Sequence, residues 1–308
     1  SWIYPRGENL KGINKLKRVI NYRSFPLFAS RKRCVAGFDY DVVLSMQFSP
    51  VLMAVPALVH AKRRNVPCII YCFDLWPEDL LTGGMTKQGL PYRLMKHVSK
   101  YIYSKADLIV VTSPDFVRYF NEVLGLHEQT YAYLPQYAET MFEEMASADE
   151  RGTDEVSDEV SDAVTNITFA GNIGGNQSIE NVVRAAALLD EKDQIRINII
   201  GSGSRLEACK NLASDLGAHS VVFHGRKPLE EMPAYYREAD AMLLPLAKAP
   251  NGSLVTQYTI PRKIQSYLAA GKPILVSADG AAAKLVDDAL AGFSCQAENT
   301  ECLAEVFR

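Results

Sequence analysis

Short apolar runs alternating with helical-period segments constrain this chain more than any other feature. DVVLSM (41–46), VPCIIYCFD (66–74), ADLIVVTS (106–113) and TYAYLP (130–135) each read as a strand. Helical segments separate them, including 51–64, 90–105 and 113–125. The helix at 90–105 is opened by Pro91 and predicts Leu94, Met95, Val98, Tyr101 and Ile102 as its buried stripe. After an interruption the rhythm restarts with NITFAG (166–171), IRINIIG (195–201), VVFHG (221–225), AMLLP (241–245) and KPILVS (272–277). Strands this short and uniformly apolar fit parallel sheets covered on both faces by helices. The fold class is therefore α/β, two Rossmann-like, doubly wound domains facing across a cleft lined by strand C-terminal edges, where such sheets bind ligands.

At 308 residues the chain exceeds what one core usually organises. Charge marks the boundary. Residues 1–138 carry 18 Lys and Arg against 10 Asp and Glu, whereas 139–163 carry one against 10. The acidic segment 139–164 repeats VSD and has few large apolar residues, so it reads as a linker, mobile at its centre. The expected domains are 1–138 and 165–308, joined by the acidic segment 139–164. No run of 18 apolar residues is present, and the six cysteines form no CxxC pair, which suits reduced thiols in a cytoplasmic protein. Residues 10–33 interleave Lys11, Lys15, Lys17 and Arg18 with Ile13, Leu16, Val19 and Ile20. Such a segment can lie on an anionic membrane surface or serve as a domain helix with a solvated basic face.

The candidate sites follow the strands. GNIGGNQS (171–178) and GSGSRLE (201–207) are strand-to-helix turns where glycine lets a backbone approach an anion; Gly171, Asn172 and Gly174 belong to the first. Glycine and Asn in such a turn also serve positive φ alone. Leu206 stands where a dinucleotide fingerprint needs its third glycine, which argues against a dehydrogenase. HGRKP (224–228) offers Arg226, to a nucleotide or to solvent. NGSLVTQYTIP (251–261) is rich in donors, including Asn251 and Thr259, and leads to Lys263, Gln265 and Ser266 at the start of a helix that suits a phosphate. FDLWPED (73–79) ends the most apolar strand of the first half, and an acid there, Asp74, is costly unless paired or used; capping is its plainer role. Glu78 and Asp79 read as caps or solvated residues. DYD (39–41) precedes a strand and reads as a turn. No Ser–His–Asp order, HExxH or Walker motif is present.

Taken together, FDLWPED, GNIG, GSG–RLE, VVFHGR, ADAMLLPL and the PRKIQSYLAAGKPI run (261–274) resemble the GT-B glycosyltransferases of family 4, especially the bacterial group that assembles surface polysaccharides. The resemblance spans nearly the whole chain and implies that 1–138 is an acceptor-side domain lacking its first strands and 165–308 the nucleotide-sugar-binding domain. It implies a retaining, metal-independent transfer without a cofactor, from a nucleotide-sugar, with UDP-sugars favoured. The acceptor would be a glycan or polyprenyl-linked glycan at the inner membrane face, with peripheral contact through residues 10–33 and no nucleic-acid partner. Asp74 takes the catalytic position; Gly171, Asn172, Gly174, Arg226, Asn251, Thr259, Lys263, Gln265 and Ser266 take the donor. Three departures accompany it. Relatives carry an acid at the position of Ser266 that holds the donor ribose, and Tyr258 replaces the first acid of that pair. The chain also begins and ends inside the family's usual layout, so weak or no transfer by this chain alone is expected. Two rivals follow: a non-catalytic nucleotide-sugar-binding partner subunit, and a sugar-nucleotide epimerase, which the lack of His near 73–79 and 171–178 disfavours.

Overall fold

The computed structural model describes residues 22, 24–31, 37–150 and 164–308. The chain divides into two compact units, one running to Pro135 and including Pro250–Val255, the other Gln136–Ala249 with Thr256–Arg308.

The first unit holds a four-stranded sheet in the order β1 (Val43–Gln47), β2 (Cys68–Cys72), β3 (Leu108–Val111), β4 (Tyr131–Tyr133), with every neighbouring pair parallel. Helices α1 (Val55–Arg64), α2 (Leu90–Tyr103) and α3 (Asp115–Glu122) connect the strands. Asn65 stops α1 in the left-handed conformation, at φ 56°, which Asn tolerates better than most residues. The core is aromatic, built on Tyr103, Phe116, Tyr119 and Phe120.

The buried face of α2 differs from the one its apolar spacing predicts. Ile102 is buried as expected, but the others inside are Tyr92, Ser99 and Tyr103, while Leu94 and Tyr101 are exposed. The reason is hydrogen bonding. Tyr92 Oη donates to Glu78 Oε1 at 2.6 Å and Tyr103 Oη donates to Gln47 Oε1 at 2.7 Å. Tyrosines that satisfy their hydroxyls inside carry more buried area than the leucine they displace.

The second unit holds six parallel strands in the order β10-β9-β8-β5-β6-β7. These are β5 (Thr165–Ala170), β6 (Ile195–Ile200), β7 (Val221–Gly225), β8 (Ala241–Pro245), β9 (Ile274–Ser277) and β10 (Gly292–Cys295). Helices α4 (Thr140–Glu150), α5 (Ile179–Ala186), α6 (Leu206–Leu216), α7 (Met232–Glu238), α8 (Lys263–Ala269), α9 (Ala281–Asp288) and α10 (Thr300–Phe307) pack around them. Every residue of β8 and β9 is buried, as a continuous apolar run requires.

Two segments depart from the expected boundaries. The acidic run read as a linker begins as helix α4, which belongs to the second unit. Its Phe142 and Met145 are buried, and Phe142 stacks on Tyr236 with centroids 4.4 Å apart. Two large apolar residues three apart are enough to dock one face of a helix. Residues 151–163 lie outside the described residues. Conversely, Pro250–Val255 groups with the first unit, tied there by Glu78. The basic segment 10–33 lies mostly outside the described residues; its part at 24–29 is helical.

Candidate functional site

Strand order in the second unit reverses at β5, with β6 and β7 on one side and β8, β9 and β10 on the other. Sheets of this kind leave a crevice beyond the strand C-termini at such a reversal. A cleft of about 460 Å³ lies there, lined by the turns after three strands: Gly171 and Asn172, Gly201 and Ser202, Arg226 and Lys227. The start of α8 adds Arg262, Lys263 and Ser266, and α4 and α7 add Phe142 and Tyr236.

The glycines are needed for shape. Gly171 and Gly201 have φ values of 150° and 146°. A Cβ on Gly201 would run into the Gly171 carbonyl, and one on Gly171 would run into the Lys263 side chain. The missing side chains let Lys263 lie over the first turn, with Nζ 4.1 Å from the centre of the Phe169 ring. That ammonium is buried and has no hydrogen-bond partner among the described residues. Burial lowers its pKa from 10.5 to about 8, so it stays cationic at neutral pH at a cost.

At another wall of the cleft stands Glu139, a residue the sequence reading left in the acidic run. Its Oε2 accepts from Ser266 Oγ at 2.6 Å, and its Oε1 accepts from Arg262 Nη2 at 2.8 Å. A carboxylate fixed by two donors keeps lone pairs free for further hydroxyl donors. The cleft thus joins one unpaired buried cation with one oriented anion.

Of the donor residues expected from sequence, the cleft brings together Gly171, Asn172, Arg226, Lys263 and Ser266. Gly174 is buried behind Asn172, and Thr259 and Gln265 are half-buried outside the cleft lining. Asn251 belongs to the first unit, where its Nδ2 donates to the Leu81 carbonyl at 3.2 Å.

Asp74 lies in the first unit, two residues past β2. The Ser49 hydroxyl sits 3.0 Å from Asp74 Oδ2, contacts Asp79 Oδ2 as well, and accepts from Trp76 Nε1 at 2.8 Å. One hydroxyl proton cannot serve two carboxylates, so the arrangement favours a proton on one of them. Burial raises both carboxyls, against the Ser49 hydrogen bonds; Asp79 reaches about 6, with Asp74 adding to the rise. Glu78 and Asp79 are therefore not the solvated caps read from sequence. Glu78 is fully buried, and its neighbours on both sides hold it there.

This raised carboxyl sets a pH dependence. Between about pH 4 and pH 6 the folded state keeps a proton on Asp79 that the unfolded chain releases. Stability contributed by this group therefore falls as pH rises through that window, by on the order of 3 kcal/mol. Thermal unfolding of wild type and Asp79→Asn at pH 4 to 7 should show the variant gaining on wild type as pH rises. Curves that stay parallel would contradict it.

Residues 2–136 match the family described as "Glycosyl transferase 4-like domain", and residues 164–308 match "Glycosyl transferases group 1". The probable glycosyltransferase WbjE of Pseudomonas aeruginosa is 25% identical over 270 residues, 86% of this chain. The chain spans 65% of the length of that relative. The putative colanic acid biosynthesis glycosyl transferase WcaI of Escherichia coli K12 is 22% identical over 301 residues, 91% of this chain and 70% of WcaI. Among solved structures, Anabaena Alr3699/HepE in complex with UDP and glucose superposes with a TM-score of 0.65 at 14% identity, covering 96% of this chain and 73% of that one. Among the described residues, no group of three or more His, Cys, Asp or Glu could hold a metal ion.

Proposed function

The chain belongs to the GT-B glycosyltransferases, with a 4-like domain followed by a group 1 domain, and from that membership we propose that it takes a sugar from a nucleotide-sugar donor to a glycan or polyprenyl-linked acceptor. The observation that carries this reading is the unpaired Lys263 ammonium beside the Gly171 turn. A diphosphate there supplies the acceptors that Lys263 lacks, and the turn leaves room for its oxygens. As the sugar–phosphate bond breaks, negative charge grows on the leaving diphosphate, and a cation already in place costs no reorganisation. UDP is the nucleotide favoured, since HepE is solved with UDP. Arg226 stands at the cleft rim, suited to the base.

Glu139 takes the role that relatives give to an acid at the position of Ser266. Here the acid comes from the segment before β5 and Ser266 holds it in place. Its free lone pairs suit the ribose hydroxyls. Asp74, a desolvated carboxyl held by Ser49, orients the acceptor hydroxyl or steadies positive charge on the sugar, in a retaining transfer.

The test is release of UDP from a UDP-sugar in the presence of a polyprenyl-linked acceptor, for the full-length protein and its Asp74→Asn variant. The variant should lose about 100-fold or more of the rate, as for removal of a positioned acid–base group. Full transfer by Asp74→Asn would remove that residue from the mechanism. Nucleotide-sugar binding with no turnover by the full-length protein would favour the partner-subunit reading.

A further inference from the structure

In the first unit the turns after β1 and β2 meet at one hydroxyl. The Phe73 N–H donates to the Gln47 carbonyl at 2.9 Å, and Gln47 Nε2 donates to the Asp74 carbonyl at 3.3 Å, so the backbone at Asp74 is tied to β1. Ser49 Oγ then faces three groups: the Trp76 indole N–H at 2.8 Å, Asp74 Oδ2 at 3.0 Å, and Asp79 Oδ2. A hydroxyl has one proton to give and two lone pairs to accept with, and an indole N–H can only donate. Trp76 therefore takes one lone pair. The rest is satisfied only if one carboxyl donates to Ser49 and the other accepts from it.

The surroundings decide which carboxyl carries the proton. Burial opposes a charge on both, and the Ser49 hydrogen bonds favour one on both. What separates them is repulsion: Asp74, across the hydroxyl, and Glu78, next in the chain, both act against a charge on Asp79. The other ionisable groups that bear on the pair are Cys72 at the end of β2, Tyr103 of α2 and Tyr119 of α3, all kept protonated by burial. Among the described residues, neither carboxyl makes an ion pair. The proton belongs on Asp79.

We propose, resting on the assignment of Asp74 to the acceptor hydroxyl, that Asp79 acts through Ser49 as the positioning residue for Asp74. As a neutral acid, Asp79 fills the second lone pair of the hydroxyl and turns its single proton onto Asp74 Oδ2. Asp74 is then held as a carboxylate by one oxygen, and the other keeps its lone pairs for a substrate hydroxyl. Once Asp79 ionises, two carboxylates compete for one proton and repel each other, and Asp74 loses its fixed direction. The hold weakens as pH rises through about 6. A substrate closing over the pair removes further water and moves that limit upward.

The experiment follows the Trp76 indole N–H of the full chain by nitrogen–proton correlation NMR across that pH range. The chain has two Trp, so Trp2→Phe assigns the signal. In wild type the signal should shift with a midpoint at about pH 6. Asp79→Asn, whose amide still donates to Ser49 but cannot ionise, should remove the shift. In the full-length protein, transfer from a UDP-sugar to a polyprenyl-linked acceptor should slow roughly 10-fold above the midpoint, and the Asp79→Asn variant should stay level. Ser49→Ala should slow transfer throughout, and Ser49→Thr, which keeps the hydroxyl, should restore it. An indole signal that does not titrate, or that titrates alike in Asp79→Asn, would overturn the proposal, as would rate profiles that fall together in both proteins. Failure of the Asp74 assignment looks different: Asp74→Asn would transfer at the full rate while the indole still titrated, which would end the role of Asp79 in transfer.

Discussion

Lys263→Met is expected to stabilise the ligand-free chain and to weaken its hold on a nucleoside diphosphate. The two effects have one cause. The ammonium is buried over Phe169 without a hydrogen-bond acceptor, and the fall of its pKa from 10.5 to about 8 corresponds to on the order of 3 kcal/mol of desolvation. Methionine keeps the apolar stem and removes the charge, so the melting temperature should rise by several degrees. Wild type should also gain stability between about pH 8 and pH 10.5, where the folded state gives up the Lys263 proton before the unfolded chain does, and the variant should not. UDP affinity should fall by roughly 30-fold or more, the cost of leaving a buried charged partner unpaired. Glu139→Gln should act more mildly, weakening UDP by about tenfold while leaving 2′,3′-dideoxy-UDP unmoved. A Lys263→Met chain less stable than wild type, or one that binds UDP equally well, would contradict the assignment.

Glu78→Ala should be the most damaging single change in the first unit. Its carboxylate accepts from Tyr92 Oη at 2.6 Å and from the Leu254 N–H at 3.3 Å. Burial, then the hydrogen bond to Glu78, holds the Tyr92 phenol well above its ordinary pKa. Removing the acid strands two buried donors, and a loss of about 3 kcal/mol is expected. That amounts to a fall of roughly 6 to 12 °C in melting temperature. The Leu254 amide should lose protection in the same variant, because the Glu78 carboxylate is its acceptor. Tyr92→Phe combined with Glu78→Ala should cost less than the sum of the two. Unchanged protection at Leu254 would show that the loop is held by something else.

What the sequence made legible follows from what kind of interaction was involved. β8 and β9, buried at every residue, were readable because a strand buried on both faces must be apolar throughout. β1 and β4 were readable as apolar runs although Leu44, Met46 and Tyr133 are exposed. β10 was not: GFSC has one large apolar residue, Phe293, and that residue points to solvent. The glycine turns after β5 and β6 were readable because close backbone approach excludes every other residue. By contrast, Glu139 meets Ser266 across 127 positions and Glu78 meets Leu254 across 176. No local pattern marks such pairs. Glu139 was hidden further by the acidic run around it, where one useful carboxylate looks like the rest. The misread face of α2 has the same origin, since the partners that draw Tyr92 and Tyr103 inward lie in distant segments.

The measurement that reaches the centre of this account is a calorimetric titration of the chain with UDP, UDP-glucose, GDP and ADP, each with and without EDTA. One-site binding of a single nucleotide class, unchanged by EDTA and weakened roughly 30-fold or more in Lys263→Met, is the predicted result. A folded chain that takes up none of them, or that binds all of them alike with or without Lys263, would mean that the cleft of the second unit is not a donor site.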